Sequence, residues 1–245
     1  MWKFVFTATA VAVIAFLFRP NNRMTVEQDE SPYETFHQHT TLVHSVLRRG
    51  MQQLIKHAPA AASDTSNFMG YASALLDNLD QHHQQEDDVL FPVLATRFPE
   101  EIKHLAEQHV QVEDILSRMR SYCLHVQSNA ETYDAEKFAS LAAELKSILL
   151  PHLEQEERAF PASVLQKAFP SYETELKPVG QQIARRAQKD GSPFTSLSFL
   201  LRHMTDDEKM HLFAKVPFVV RDYIFPIFPY VHSGYWAYAT ASDEM

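Results

Sequence analysis

From residue 31 onward the apolar positions recur at steps of three and four, the pattern of helices that bury one face. Phe36, Thr40, Val43/His44, Leu47, Met51 and Leu54 make the first stripe. It opens on Ser31-Pro32-Tyr33-Glu34, with a capping serine, proline at the first helical position and glutamate three residues past the cap. Pro59 and an Ala/Ser stretch close it. A second helix is predicted from about Ser66 to Arg97, with Phe68, Ala72, Leu75, Leu79, His82, Glu86, Val89 and Val93 on its seam. Pro99-Glu100-Glu101 ends that helix and starts a third, whose seam is Ile102, Leu105, His109, Val112, Leu116, Met119, Cys123 and Val126. After a polar loop near Ser128–Tyr133, a fourth stripe runs through Phe138, Leu141, Leu145, Ile148, His152 and Glu156, continuing past Pro161 to near Ala168. Pro92 and Pro151 fall inside the second and fourth helices and predict kinks there. Four long amphipathic helices with short connections predict an all-α fold, an up-down-up-down bundle spanning 31–168.

The two ends read differently. Phe4 to Phe18 is an uncharged apolar run between Lys3 and Arg19, and residues 19–30 form a polar linker. Residues 2–18 are near the lower length limit of ~17 residues for a bilayer span. They predict a hydrophobic helix that anchors the chain to a membrane, with secretion after signal-peptide cleavage as the alternative. No small-x-small cleavage site follows the run, which favours retention. Basic residues flank both sides, so orientation stays open. Residues 169–245 predict a helical extension: a helix over Leu176–Lys189, a capping box at Thr205-Asp206-Asp207-Glu208, and an aromatic, proline-rich stretch from Val216 to Tyr238. That stretch is expected to cap the bundle; a membrane-surface patch and a lid over a substrate pocket are the functional alternatives.

Composition narrows the chemistry. Only five glycines and a near absence of hairpin signals, the one Asp-Gly (Asp190-Gly191) being followed by Ser-Pro, agree with an all-α chain. A net charge of −9 argues against nucleic acid as a partner. A single cysteine, Cys123, permits no intrachain disulfide and no thiolate zinc site. Thirteen histidines are many for this length, and their placement decides what they mean.

Positions facing a bundle core should be apolar, because unpaired buried carboxylates are costly. Yet His44, His82, Glu86, His109, His152 and Glu156 lie on or beside the stripes. His82/Glu86 and His152/Glu156 are spaced four apart, which aims both side chains one way, and His109/Glu113 repeats the spacing. At ~1.5 Å rise per residue these sets reach a similar depth, within about a helical turn. Imidazole and carboxylate without thiolate suit iron, manganese or zinc. Six or seven such donors exceed a four-ligand zinc site and fit two metals bridged by carboxylate.

At these residues the chain resembles the hemerythrin and HHE cation-binding family. The resemblance rests on HSVLRRGMQQL, HHQQEDDVLFP, EQHVQVEDIL and HLEQEERAFP, and covers roughly residues 31–168. It implies a non-haem centre of two iron ions, held by His44, His82, a bridging Glu86, His109, His152 and Glu156. Oxygen-carrying members place a second histidine four residues after the third helix's first, where this chain has Glu113. They place the fourth helix's carboxylate five residues after its histidine, which makes Glu157 the alternative to Glu156. A carboxylate in place of imidazole hardens the site and weakens the case for reversible oxygen carriage. The implied function is an iron-binding module for dioxygen or another small ligand, serving sensing, storage or protection. The alternative is a di-iron oxidase or oxygenase acting on a small-molecule substrate.

Other histidines read as structural. His83 points about 100° from His82 and is expected on the surface or behind the ligands. His37 and His39 are expected in solvent, His104 in solvent with a place behind the ligands as the alternative, and Cys123 in the core. His203, His211 and His232 have no partner at ligand spacing.

Overall fold

Pro32 has no amide hydrogen to leave unbonded, and it starts α1 (Pro32–His57) as the sequence predicts; the Ser31 side chain makes no capping bond. The structure, a computed structural model, describes residues 31–213 and 216–239. Among them it is all helical, with no strand. A 3₁₀ segment, Ala58–Ser63, leads into α2 (Thr65–Gln85). The second helix is not continuous to Arg97. It widens into a π-turn over Glu86–Leu90, then closes as the single-turn α3 (Phe91–Leu94). Pro92 is the physical reason: it cannot donate to Asp88 O, and its ring would press on that carbonyl in a regular helix. The wider turn relieves this by bonding Phe91 N–H to Glu86 O.

Pro99 opens α4 (Pro99–Gln127), and Asp134 caps α5 (Ala135–Ala159) by accepting from the amides of Glu136 and Lys137. Helix α5 runs through Pro151; the carbonyl left free belongs to exposed Ser147, where water can take its place. It does not run on to Ala168. Pro161 interrupts it, and α6 (Ala162–Ala168) is separate. Two further helices follow, α7 (Tyr172–Glu175) and α8 (Lys177–Asp190).

The long helices α1, α2, α4 and α5 enclose two apolar clusters. One holds Leu47, Met51, Leu75, Leu79, Val112, Leu116, Leu145 and Leu149; the other holds Leu90, Phe91, Leu94, Ile102, Leu105, Phe160 and Leu165. Each helix passes from one cluster to the other, α1 and α4 in one sense, α2 and α5 in the opposite sense. The stretch between the clusters bears a buried histidine in every case, joined by a buried glutamate after α2 (Glu86) and on α5 (Glu156).

The extension packs on the α1–α2 side. Helix α9 (Ser198–His203) crosses α1 so closely that a Cβ on Gly50 would overlap the Phe199 ring. Helix α10 (Asp206–Phe213) opens with the predicted capping box: Glu208 N–H donates to Thr205 Oγ1 (3.1 Å) and Thr205 N–H to Glu208 Oε2 (2.7 Å). Arg49 of α1 also donates to Glu208 (2.6 Å), which ties the extension down. Phe225, Phe228 and Trp236 join the first cluster. The predicted anchor at residues 2–18 lies outside the described residues. Among those described, no helix is long and apolar enough to cross a membrane.

Candidate metal centre

The layer between the apolar clusters brings five imidazoles and two carboxylates together. His83, Glu86, His109 and His152 form one group, and His44, His82, Glu86 and Glu156 another; within each, one donor atom per residue lies within 4.8 Å of the others. Glu86 belongs to both. It begins the π-turn, so the distortion that accommodates Pro92 starts at the shared residue.

Of the positions expected from the sequence, His44, His82, Glu86, His109, His152 and Glu156 converge here. Glu113 does not. It is exposed on α4, because its neighbour Val112 takes the inward position one residue earlier. Glu157 is outside both groups but touches one of their members. His83, expected on the surface or behind the ligands, is buried at 6 % exposure and stacks on the His109 ring at 4.3 Å. A core-facing stripe is more than 100° wide, so adjacent residues can both face inward. His82 turns to α1, with its ring 5.0 Å from that of His44, while His83 turns to α4 and α5. The signal was in the spacing, for His83 stands three residues before Glu86 and His82 four, both same-face separations.

Three of the five rings have their orientation fixed from outside. His44 Nδ1–H donates to Glu157 Oε1 (2.9 Å), His109 Nδ1–H to Asp87 Oδ1 (2.8 Å) and His152 Nδ1–H to Gln108 Oε1 (2.9 Å). Each bond places the proton on Nδ1 and leaves a lone pair on Nε2 aimed into the layer. The Nε2 atoms of His109 and His152 then face each other at 3.0 Å. Two lone pairs repel at that distance unless a cation lies between their directions. The pattern of orphaned atoms agrees. His44 Nε2, His82 Nε2, His83 Nε2, Glu86 Oε2 and both Glu156 oxygens are buried without a hydrogen-bond partner among the described residues. Buried polar atoms of a native fold are rarely left so. The residues therefore fit bound metal, and metal ligands that donate their second ring nitrogen to an acceptor are the expected arrangement.

Electrostatics point the same way. Burial, reinforced by the neighbouring Glu156 carboxylate, pushes the Glu86 carboxyl well above its usual range. Burial also raises Glu156, against the pull of His44. Burial, with neighbouring imidazoles, drives His82 and His83 well down and His152 to about 3. Neutral imidazoles are ligand-ready, and a bound cation would favour the carboxylate form of both acids. Glu157 differs: burial would raise it, but hydrogen bonds from His44 and Arg48 outweigh burial and hold it at about 2. Arg48 donates to it at 2.7 Å. A cavity of about 20 Å³ reaches Glu156 and Glu157 past Phe36, His37 and Thr40.

Residues 35–163, more than half of the chain, match the hemerythrin HHE cation binding domain, and the chain belongs to that family. It is 24% identical over 202 residues, 80% of this chain and 74% of the relative, to Dimeric xanthone biosynthesis cluster protein R11 of Cryptosporiopsis sp. (strain 8999). No solved structure matches it significantly.

Proposed function

We propose that the protein is a non-haem di-iron module in an up-down-up-down four-helix bundle, and that it binds dioxygen or a ligand of similar size. The observation that carries this reading is the pair of four-donor groups sharing Glu86, with unpartnered Nε2 and carboxylate oxygens turned inward. His83, His109 and His152 would hold one ion and His44, His82 and Glu156 the other, with Glu86 between them. Two irons held by these residues would supply electrons to a small oxidising ligand.

The chain's own residues do the rest. Asp87, Gln108 and Glu157 keep the protons of His109, His152 and His44 on Nδ1. Phe91 lies flat on His109 at 4.9 Å and helps to exclude water on that side. With His83 inside and Glu113 outside, the donors are five imidazoles and two carboxylates. The hardening argument based on Glu113 therefore lapses. The cavity beside Glu156 is little larger than the ~10–15 Å³ that one water requires. That favours a diatomic ligand over an organic ring at the metals.

The second reading is a di-iron oxidase or oxygenase of small-molecule biosynthesis. The observation in its favour is the name of the relative, a dimeric xanthone biosynthesis cluster protein. Metal analysis of the purified protein, with iron, manganese and zinc measured together, tests the shared premise: two irons per chain are expected, and a metal-free or single-zinc protein removes both readings. Mixing the di-ferrous protein with oxygen then separates them. A species that releases its gas under vacuum supports the module, whereas rapid oxidation with hydroxylated product in a cell extract supports the enzyme.

A further inference from the structure

Of the nine large apolar residues exposed in the described chain, six lie within residues 218–231: Phe218, Val219, Tyr223, Ile227, Tyr230 and Val231. Their spacing is ordered. Tyr223 follows Phe218 by five residues, Ile227 follows by four and Tyr230 by three. Over the same stretch the backbone tightens from a π-helix (Val220–Ile224) to a 3₁₀-helix (Phe225–His232). A π-turn advances by more residues than an α-turn, and a 3₁₀-turn by three, so each exposed side chain sits about one turn beyond the last. The result is one outward ridge.

The opposite side is fastened. Phe225 packs edge-on against Phe213 at 4.9 Å and Phe228 against Phe194 at 5.8 Å. Outward helical faces are ordinarily charged. Here the charges within the stretch are Arg221 and Asp222, paired with one another at 2.6 Å. A contiguous exposed apolar surface of this kind marks an interaction site.

We infer that this ridge docks the protein onto the surface of an electrically neutral lipid bilayer. The tyrosines offer an apolar body and a polar tip, the character enriched at the membrane–water boundary. The chain also carries a second bilayer-seeking feature, the uncharged run Phe4–Phe18, joined to α1 by residues 19–30. The net charge of −9 favours zwitterionic over anionic headgroups.

The test uses the full chain with Tyr223→Cys or Tyr230→Cys, each labelled with a polarity-sensitive fluorophore; Cys123 is buried and stays unlabelled. A label at exposed Glu113→Cys is the control. With phosphatidylcholine vesicles, the labels at 223 and 230 are expected to shift to the blue and the control to stay unchanged. Phe218→Ser with Ile227→Ser should lower vesicle partition by about tenfold or more. The inference is overturned if the chain does not float with vesicles, or floats with both ridge labels unshifted, which places attachment elsewhere. It is equally overturned if binding requires anionic lipid, or if the shift appears without vesicles as protein concentration rises, which identifies a second copy of the chain as the occupant.

Discussion

Two regions of this molecule bury histidine, and they do so in opposite ways. His203 is sealed between α1, α2 and the extension, and both its nitrogens are accounted for. Nδ1–H donates to Phe199 O (2.8 Å), and Nε2 accepts from Tyr71 Oη–H (2.8 Å). The Tyr71 hydroxyl also lies 3.1 Å from Gly50 O. Nothing there is left over for a ligand. In the layer between the two apolar clusters, by contrast, the Nδ1 atoms of His44, His109 and His152 are satisfied while the Nε2 atoms converge. Burial depth is the same in both places, and so is the downward push on the imidazoles that carry a shift. The difference lies in the inward nitrogen. A closed hydrogen-bond circuit makes a buried histidine a structural fastener, and an open one makes it a ligand.

The largest expected effect breaks this contrast at its centre. Glu86→Ala removes the one carboxylate common to both donor groups, and bound metal should fall from about two ions per chain to less than one, read by metal analysis. His83→Ala should leave about one ion. His203→Ala, equally buried, should leave both. A His83→Ala protein that retains two ions would return His83 to the structural class and leave only Glu86, His109 and His152 in its donor group.

Next in size is the pH dependence of the fastener. Burial lowers His203 to about 4 from the usual 6.5, despite its hydrogen bond to Phe199. The folded state therefore resists a proton that the unfolded chain accepts below pH 6.5. His203 contributes nothing to pH dependence above that value and withdraws stability as pH falls from 6.5 toward 4. The full shift corresponds to a loss on the order of 3 kcal/mol. Denaturant titrations of wild type and His203→Gln should diverge across that window, with wild type losing more. Equal slopes would mean that this histidine is not sealed. A smaller effect is expected of Tyr71→Phe, which leaves His203 Nε2 unpartnered at a cost of about 1–3 kcal/mol. Its metal content should not change, which separates a fastener from a ligand in one protein.

The sequence made much of this contrast legible, and its gaps have physical causes. The four stripes, the proline that opens α1 and the capping box of α10 are local signals, and the structure repeats them at nearly the predicted residues. Six residues of the layer are legible in the sequence because they interrupt otherwise apolar seams. His83 escapes the sequence reading because it points about 100° from His82, although the stripe of a packed helix is wide enough for two neighbours. The second helix is shorter than its stripe predicts because the backbone absorbs Pro92 not as a simple kink but as a π-turn that begins at Glu86. The partners of His203 were out of reach, since Tyr71 lies 132 residues away and nothing local pairs them.

The smallest expected effect is the sharpest on the chemistry of the layer. Glu113 stands four residues after His109, the position where oxygen-carrying relatives were expected to place imidazole, and a ligand there would harden the site. The structure turns it outward on α4, with Val112 inward instead. Glu113→Ala should therefore leave the metal count and the visible spectrum of the oxidised protein unchanged, and stability within ~0.5 kcal/mol. A shifted spectrum would mean that α4 rotates when metal is bound. Carboxylate would then displace imidazole at the ion held by His109, and the oxidase reading would recover the argument it lost when His83 moved inside.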